Sequence, residues 1–386
     1  MPVVEADGIY LTDDEGKKWM DLSSSASVVN IGYNHPAVKK TISEQIDKLI
    51  FAPPTSPTHK AEALSNKLIT HFPDELDTIL RSSTGSESVE IALKLARKFT
   101  GKARFLSFAE SYHGHTIAAM SIGMNDETKK KFLPLIDSDI IPHPYHAGGV
   151  KEYNKFAADT IKTIEARFKT GAYAAFVTEY LMSSPGCFPL DPTFMQSLRT
   201  LCSEYGVLLI VDEVLTGFGR TGKMFAFEHA DITPDIVCVA KGLGCGYGPI
   251  AGTITRKEIA EGFDYFATFG WNPLACATAL SVLKVYEDEQ LVKNSHDQGG
   301  YIKERLEQAI GAHSKVLDIR GLGLKLAIEV ADVETFDHVT QRLSEDHLYL
   351  AVADLPRIIP IGPPLIADRS QSDEIVDKFI NAFTTI

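Results

Sequence analysis

Between about residues 80 and 255 short apolar runs alternate with amphipathic stretches, and nothing else in the chain restricts its fold so strongly. "RFLSFA" (104–109), "YAAFVTE" (173–179), "VLLIVDE" (207–213) and "DIVCVAK" (235–241) read as buried strands. "ESVEIALKLARKF" (87–99) and "DPTFMQSLRTLCSEYG" (191–206) read as helices between them. The alternation predicts an α/β fold, a mostly parallel sheet with helices on both faces. The ends have another texture. "IYLTDDEGKKWMDL" reads as strand, turn and strand with Gly16 at the turn, and "DEIVDKFINAF" (373–383) spaces Ile375, Phe379 and Phe383 along one helical face. The expected division is a large domain over 46–275 and a smaller α+β domain built from 1–45 and 276–386.

Composition removes several classes of function. A net charge of -13 argues against general affinity for nucleic acid or an anionic membrane, both of which need clustered Lys and Arg. Five scattered cysteines form no C-x-x-C, so neither a zinc site nor a disulfide framework is expected, and no metal. "MPVVEADGIY" lacks the basic and apolar regions of a secretory signal, and no run approaches 18 apolar residues. A soluble, cytoplasmic protein is expected.

"LLIVDEVLTGFGRTG" (208–222) joins an apolar strand to a glycine loop through Asp212-Glu213. Residues 217–223 fit G-x-x-x-x-G-K, but Met224 stands where a hydroxyl must reach Mg²⁺, and the loop follows the acidic strand instead of preceding it. Gly217, Gly219 and Gly222 also fit G-x-G-x-x-G, yet no long helix opens after them. A third reading pairs Asp212 with Lys241 at the end of the next strand. Pyridoxal phosphate needs a lysine amine for a Schiff base and a carboxylate to keep its ring nitrogen protonated. Its phosphate would sit at the helix opened by Gly85-Ser86, whose free N–H groups favour an anion; Thr84 and Glu87 have capping-box spacing there.

With these pieces in order, the chain resembles the class III aminotransferases, enzymes of the type I pyridoxal-phosphate fold, over nearly its whole length. "GIYLTDDEGKKWMDL", "NIGYNHPAV", "STGSESVEIALKLAR", "SYHGHT", "DEVLTGFGRTG", "AKG", "TFGWNPLACATAL", "IRGLGL" and "PPL" follow the family's order. The resemblance implies that Lys241 bonds the cofactor and moves the substrate proton, and that Asp212 pairs with the ring nitrogen. It implies that Tyr112 and Val214 cover the two ring faces, that Gly85 and Ser86 hold the phosphate, and that His113 orders the loop. Glu179 belongs to the same cofactor site. Thr268 matches a threonine that reaches the neighbouring subunit's phosphate, which implies a homodimer with shared sites. The implied reaction carries an amino group from an amino acid or amine to a 2-oxo acid through pyridoxamine phosphate.

The chain also departs from the pattern. Leu215 replaces a glutamine that bonds the ring hydroxyl, and "EPVQG" becomes "EYLMS", keeping only Glu179. Pro360 stands where many members carry an arginine for a substrate carboxylate. Arg357, backbone N–H groups or the serines of "SSSAS" (23–27) are the alternatives. "SASVVNIG" is similar to class III racemases and epimerases, which makes an amino-acid racemase the second reading. A cofactor-holding protein without turnover is the third.

Overall fold

A computed structural model describes residues 1–123, 126–133, 135–145, 153–351 and 357–386. The chain opens with an antiparallel meander of β1 (Val3–Asp7), β2 (Tyr10–Asp13) and β3 (Lys18–Asp21). Gly16, at φ 80°, turns β2 into β3, a conformation that favours glycine. The central strands follow as β4 (Thr78–Ser82), β5 (Arg104–Phe108), β6 (Ser138–Ile141) and β7 (Tyr173–Thr178). After a small hairpin of β8 (Leu181–Met182) and β9 (Phe188–Pro189) come β10 (Leu208–Asp212), β11 (Ile236–Val239) and β12 (Ala251–Thr255). The last group is β13 (Val316–Leu322), β14 (Lys325–Val330), β15 (Leu348–Tyr349) and β16 (Ile358–Ile361).

Among the described residues, seven strands form the central sheet in the order β4-β12-β11-β10-β7-β5-β6. β6, β5, β7, β10 and β11 are parallel to one another, and only β12 runs against its neighbours. Every residue of β7, β10 and β11 is buried, as expected of strands covered on both faces. Along β10 the side chains alternate. Leu208 and Ile210 pack with Val89, Ala92 and Leu93 of the helix Gly85–Thr100. Leu209 and Val211 pack with Met195 and Leu198 of the helix Pro192–Tyr205. By this period of two, Asp212 turns to the face that carries Gly85–Thr100.

The strand directions bring the site together. β12 is antiparallel to both β11 and β4, so β4 points the same way as β10 and β11. The helix that follows β4 therefore begins at the sheet edge where Asp212 and Lys241 emerge, the edge at which parallel sheets bind ligands.

Both chain ends meet elsewhere, where β15 pairs in parallel with β3, while β13, β14 and β16 form an antiparallel sheet. The closing helix, Arg369–Thr384, buries Ile375, Phe379 and Phe383. We propose the division at 45/46 and 275/276 on the β3–β15 pairing; both boundaries fall within helices, Pro36–Ile46 and Pro273–Asp288, that pack on each other.

Candidate active site

Asp212 ends β10 and is 4% exposed. Its Oδ1 accepts the Val214 N–H at 3.0 Å, and its Oδ2 lies 2.7 Å from His113 Nδ1. His113 is itself buried, and its Nε2 has no partner among the described residues. The histidine thus clamps the carboxylate, and the same contact fixes the loop after β5. Glu213, next in sequence, points elsewhere. It accepts the Phe227 N–H at 2.8 Å and bonds Thr216, and burial pushes its carboxyl up to about 7. The adjacent acids have separate tasks, Asp212 in the cavity and Glu213 in the turn behind it.

Lys241 lies two residues beyond β11 at φ 34°, an uncommon backbone state for a side chain of this size. Burial pushes its amine below the ordinary lysine value, and the charge of Lys325 pushes the same way; Asp212 and Glu179 oppose them. Glu179, beyond β7, is buried, and its carboxyl is raised to about 7 by that burial and by the charge of Asp212. Its Oε2 accepts the Ser183 N–H at 3.4 Å, and among the described residues it has no cationic partner in ion-pair range.

The helix Gly85–Thr100 opens under a Thr84 cap whose Oγ1 accepts the Glu87 N–H at 3.2 Å. The reciprocal bond differs from a plain capping box. Glu87 accepts the N–H of Ser83 at 2.6 Å, one residue before the cap, and also holds the Tyr265 hydroxyl. The Gly85 and Ser86 N–H groups make no hydrogen bond among the described residues, so the helix end presents two donors and its positive pole. Gly85 is required by space: a Cβ there would stand 2.7 Å from Val214 Cγ1.

A cavity of about 410 Å³ joins these groups, with Gly85, Ser86, Tyr112, His113, Glu179, Asp212, Val214 and Lys241 on its wall. Thr268 is absent from that wall. It lies in an exposed loop between Phe266 and Phe269, which are 61% and 64% exposed. Leu215 lines the cavity with an apolar side chain. The serine cluster forms one left-handed turn. Ser24, Ser25, Ala26 and Ser27 all have φ between 48° and 60°, and the Ser23 carbonyl accepts the Ser27 N–H at 2.8 Å. L-residues resist this state by about 1–2 kcal/mol each. Asp21 holds the turn by accepting from Ser23, Ser25 and Tyr33. Pro360 pairs with Ala327 across β14 and β16, while Arg357 is exposed and outside the cavity wall.

One residue has a larger part than its motif suggested. The loop that carries Gly217, Gly219 and Gly222 delivers Arg220 into the interior. Its Nη1 donates to the carbonyls of Leu324 at 3.1 Å and Pro363 at 2.6 Å, and its Nη2 donates to Asn30. It ties both chain ends to the strand that carries Asp212. Burial without an acidic partner lowers its guanidinium to about 10. The sequence signal was an arginine inside an otherwise small, apolar loop.

These residues fit pyridoxal phosphate: two free N–H donors for the phosphate, an anchored carboxylate for the ring nitrogen, and an amine of lowered basicity on the same cavity wall. The comparisons agree. The family described as "Aminotransferase class-III" matches residues 1–383. The acetylornithine aminotransferase of Methanopyrus kandleri is 37% identical over 86% of this chain and 81% of its own length. That of Bacillus cereus is 33% identical over 97% and 92%. An aminotransferase structure from Bacillus anthracis superposes with a TM-score of 0.93 at 28% identity, covering 100% of this chain and 93% of that one. The taurine:2-oxoglutarate aminotransferase of Bifidobacterium kashiwanohense, solved with pyridoxal phosphate and glutamate, gives 0.92 at 27%, covering 100% and 92%. The racemase and non-catalytic readings gain no support from such relatives. The chain belongs to the class III aminotransferases and is a pyridoxal-phosphate-dependent enzyme that passes an amino group from a donor to a 2-oxo acid.

Proposed function

We propose that Lys241 and Asp212 carry the chemistry of this transamination, and the observation that bears most weight is their convergence with the Gly85–Ser86 helix end on one cavity. Bound pyridoxal phosphate supplies an electron sink for the carbon that bears the amino group. Asp212, held by Val214 N–H and His113, would keep a proton on the ring nitrogen, as a carboxylate locked in one orientation can. Lys241 Nζ would hold the cofactor and would be the base that takes the proton from the substrate carbon. Its depressed basicity supports both tasks, since an amine must be neutral to attack or to accept a proton. Gly85 and Ser86 would donate to the phosphate, and Tyr112 and Val214, on the same wall, would enclose the ring. Glu179 borders the substrate side and carries a charge that varies near neutral pH.

The enzyme is a homodimer in this reading, with Thr268 donating to the phosphate in the opposite subunit. The exposed apolar patch around that loop supports it: Phe266 and Phe269, with Phe51 5.3 Å from the Phe269 ring, and Leu49 and Ile50 beside them. A cytoplasmic location fits five buried, unpaired cysteines. No helix among the described residues is long and apolar enough to cross a membrane.

Borohydride reduction of the holoenzyme, followed by peptide mass mapping, tests the central assignment. The cofactor is expected on the Lys241 peptide; recovery on another lysine would refute it. Sedimentation of the wild type and of Phe269→Asp tests the dimer, with a monomer of weakened cofactor affinity expected for the variant.

A further inference from the structure

Beside the Lys241 cavity lies a second one of about 320 Å³ that shares Ser184 and Leu215 with it. Its wall is formed by the left-handed serine turn through Ser23 and Ala26, by the β8–β9 hairpin and by β14 and β16. Among the described residues on that wall, Lys325 is the only charged one. It opens β14 opposite Leu322, beside the backbone of Gly362. A half-buried cation facing a mainly apolar wall is stabilised by a carboxylate beside it. Lys325 finds none: its ammonium makes no ion pair or hydrogen bond among the described residues. Ser184, on both walls, also has a hydroxyl without a partner there.

Arg320, a buried cation nearby, is held by two carboxylates: its Nε donates to the Gly186 carbonyl at 2.7 Å and its Nη1 to Glu329 at 2.7 Å and Asp318 at 3.0 Å, while its Nη2 has no partner among the described residues. It also lies over the Phe188 ring at 3.7 Å. Arg357 is exposed and on neither wall. Pro360, which does line the second cavity, has no side-chain donor.

We infer that Lys325, with the Ser184 hydroxyl beside it, binds the carboxylate of the amino donor and of the 2-oxo acid. The inference rests on the transamination site at Lys241, and it makes the preferred substrates anions. A carboxylate entering the second cavity meets its missing counter-charge on Lys325, while the carbon to be aminated remains in the first. The proline that breaks the family pattern is then compensated from the adjacent strand of the same sheet, which reaches the cavity from β14 instead of β16.

The test uses unreactive ligands, so that it is independent of turnover. Acetate, butyrate and hexanoate are titrated into the holoenzyme by calorimetry against the corresponding neutral amides. A charge-assisted pair of this kind is expected to favour the best carboxylate over its amide by roughly 10- to 100-fold. Lys325→Met is expected to abolish that preference by weakening the carboxylate alone, and Lys325→Arg to retain most of it. The cofactor's visible absorption, read in parallel, reports that each variant is folded and loaded. Wild-type enzyme that binds carboxylates no better than amides, or Lys325→Met with an intact preference, would overturn the inference. The wild-type comparison stands even if Lys325→Met does not fold. Failure of every donor to alter the cofactor would instead count against the roles given to Lys241 and Asp212, leaving the binding result intact.

Discussion

Gly85→Ala separates two physical effects with opposite signs. At a helix position open to solvent, alanine is preferred over glycine by up to about 1 kcal/mol. Here the new methyl would meet Val214 Cγ1 at 2.7 Å and Cγ2 at 3.0 Å. Carbon atoms rest at about 3.5–4.0 Å, so one side must retreat by roughly 1 Å. Both Val214 methyls face the new group, so relief needs a movement of the Val214 backbone, whose N–H is bonded to Asp212 Oδ1. The displacement therefore reaches the carboxylate as well as the wall of the ring. Overpacking of this kind costs about 1–3 kcal/mol, which largely cancels the helical gain in the stability of the apoenzyme. A shift of about 1 Å near reacting groups can cost on the order of 100-fold in rate. We expect kcat/KM to fall roughly 10- to 100-fold with weaker cofactor binding, while apoenzyme stability changes by less than about 2 kcal/mol. Val214→Ala should restore much of the loss, with a coupling of about 1–2 kcal/mol in a double-mutant cycle of kcat/KM and cofactor Kd. Wild-type activity in Gly85→Ala, or additive effects in the double variant, would refute the steric argument.

Two further substitutions probe the frame of the site. Glu179 has a raised carboxyl value in the folded protein, so its contribution to stability is present below the unfolded value near 4.5 and is lost as pH rises through about 7. Urea titrations of the apoenzyme should show Glu179→Gln gaining on the wild type by on the order of 3 kcal/mol between pH 4.5 and pH 8; a pH-independent difference would contradict the assignment. Arg220→Met leaves three buried acceptors without a donor, each worth about 1–3 kcal/mol, and should unfold at lower urea than Arg220→Lys, which can still reach some of them. Equal stability of Arg220→Met and wild type would remove the clamp from the account.

The strands β5, β7, β10 and β11 were legible because they are buried almost throughout, so their apolar runs carry the pattern directly, whereas the half-exposed edge strands β4 and β6 were not read. The helix at Gly85 was legible through its cap, and Asp212 and Lys241 through their positions at strand ends. What the sequence could not disclose depends on parts of the chain that meet only in the fold. His113 and Asp212 are 99 residues apart, and Arg220 and Pro363 are 143 apart. Lys325 sits in "GLGLKLAIEV" as one polar residue at the start of an apolar strand, where the usual reading is a solvent-facing end. Only the packing of β14 against the serine turn and the β8–β9 hairpin turns it toward a cavity. Left-handed backbone at four successive non-glycine residues was likewise invisible, since serine is not selected for that state.

The account depends most directly on a half-reaction. Purified holoenzyme is mixed with single amino acids and amines in the absence of any oxo acid, and the visible band of the lysine-bound cofactor is followed. The account predicts that a donor abolishes this band in a 1:1 ratio with enzyme and that a 2-oxo acid restores it. A donor that lost optical rotation while the band stayed unchanged, or a band that survived the entire panel, would contradict it.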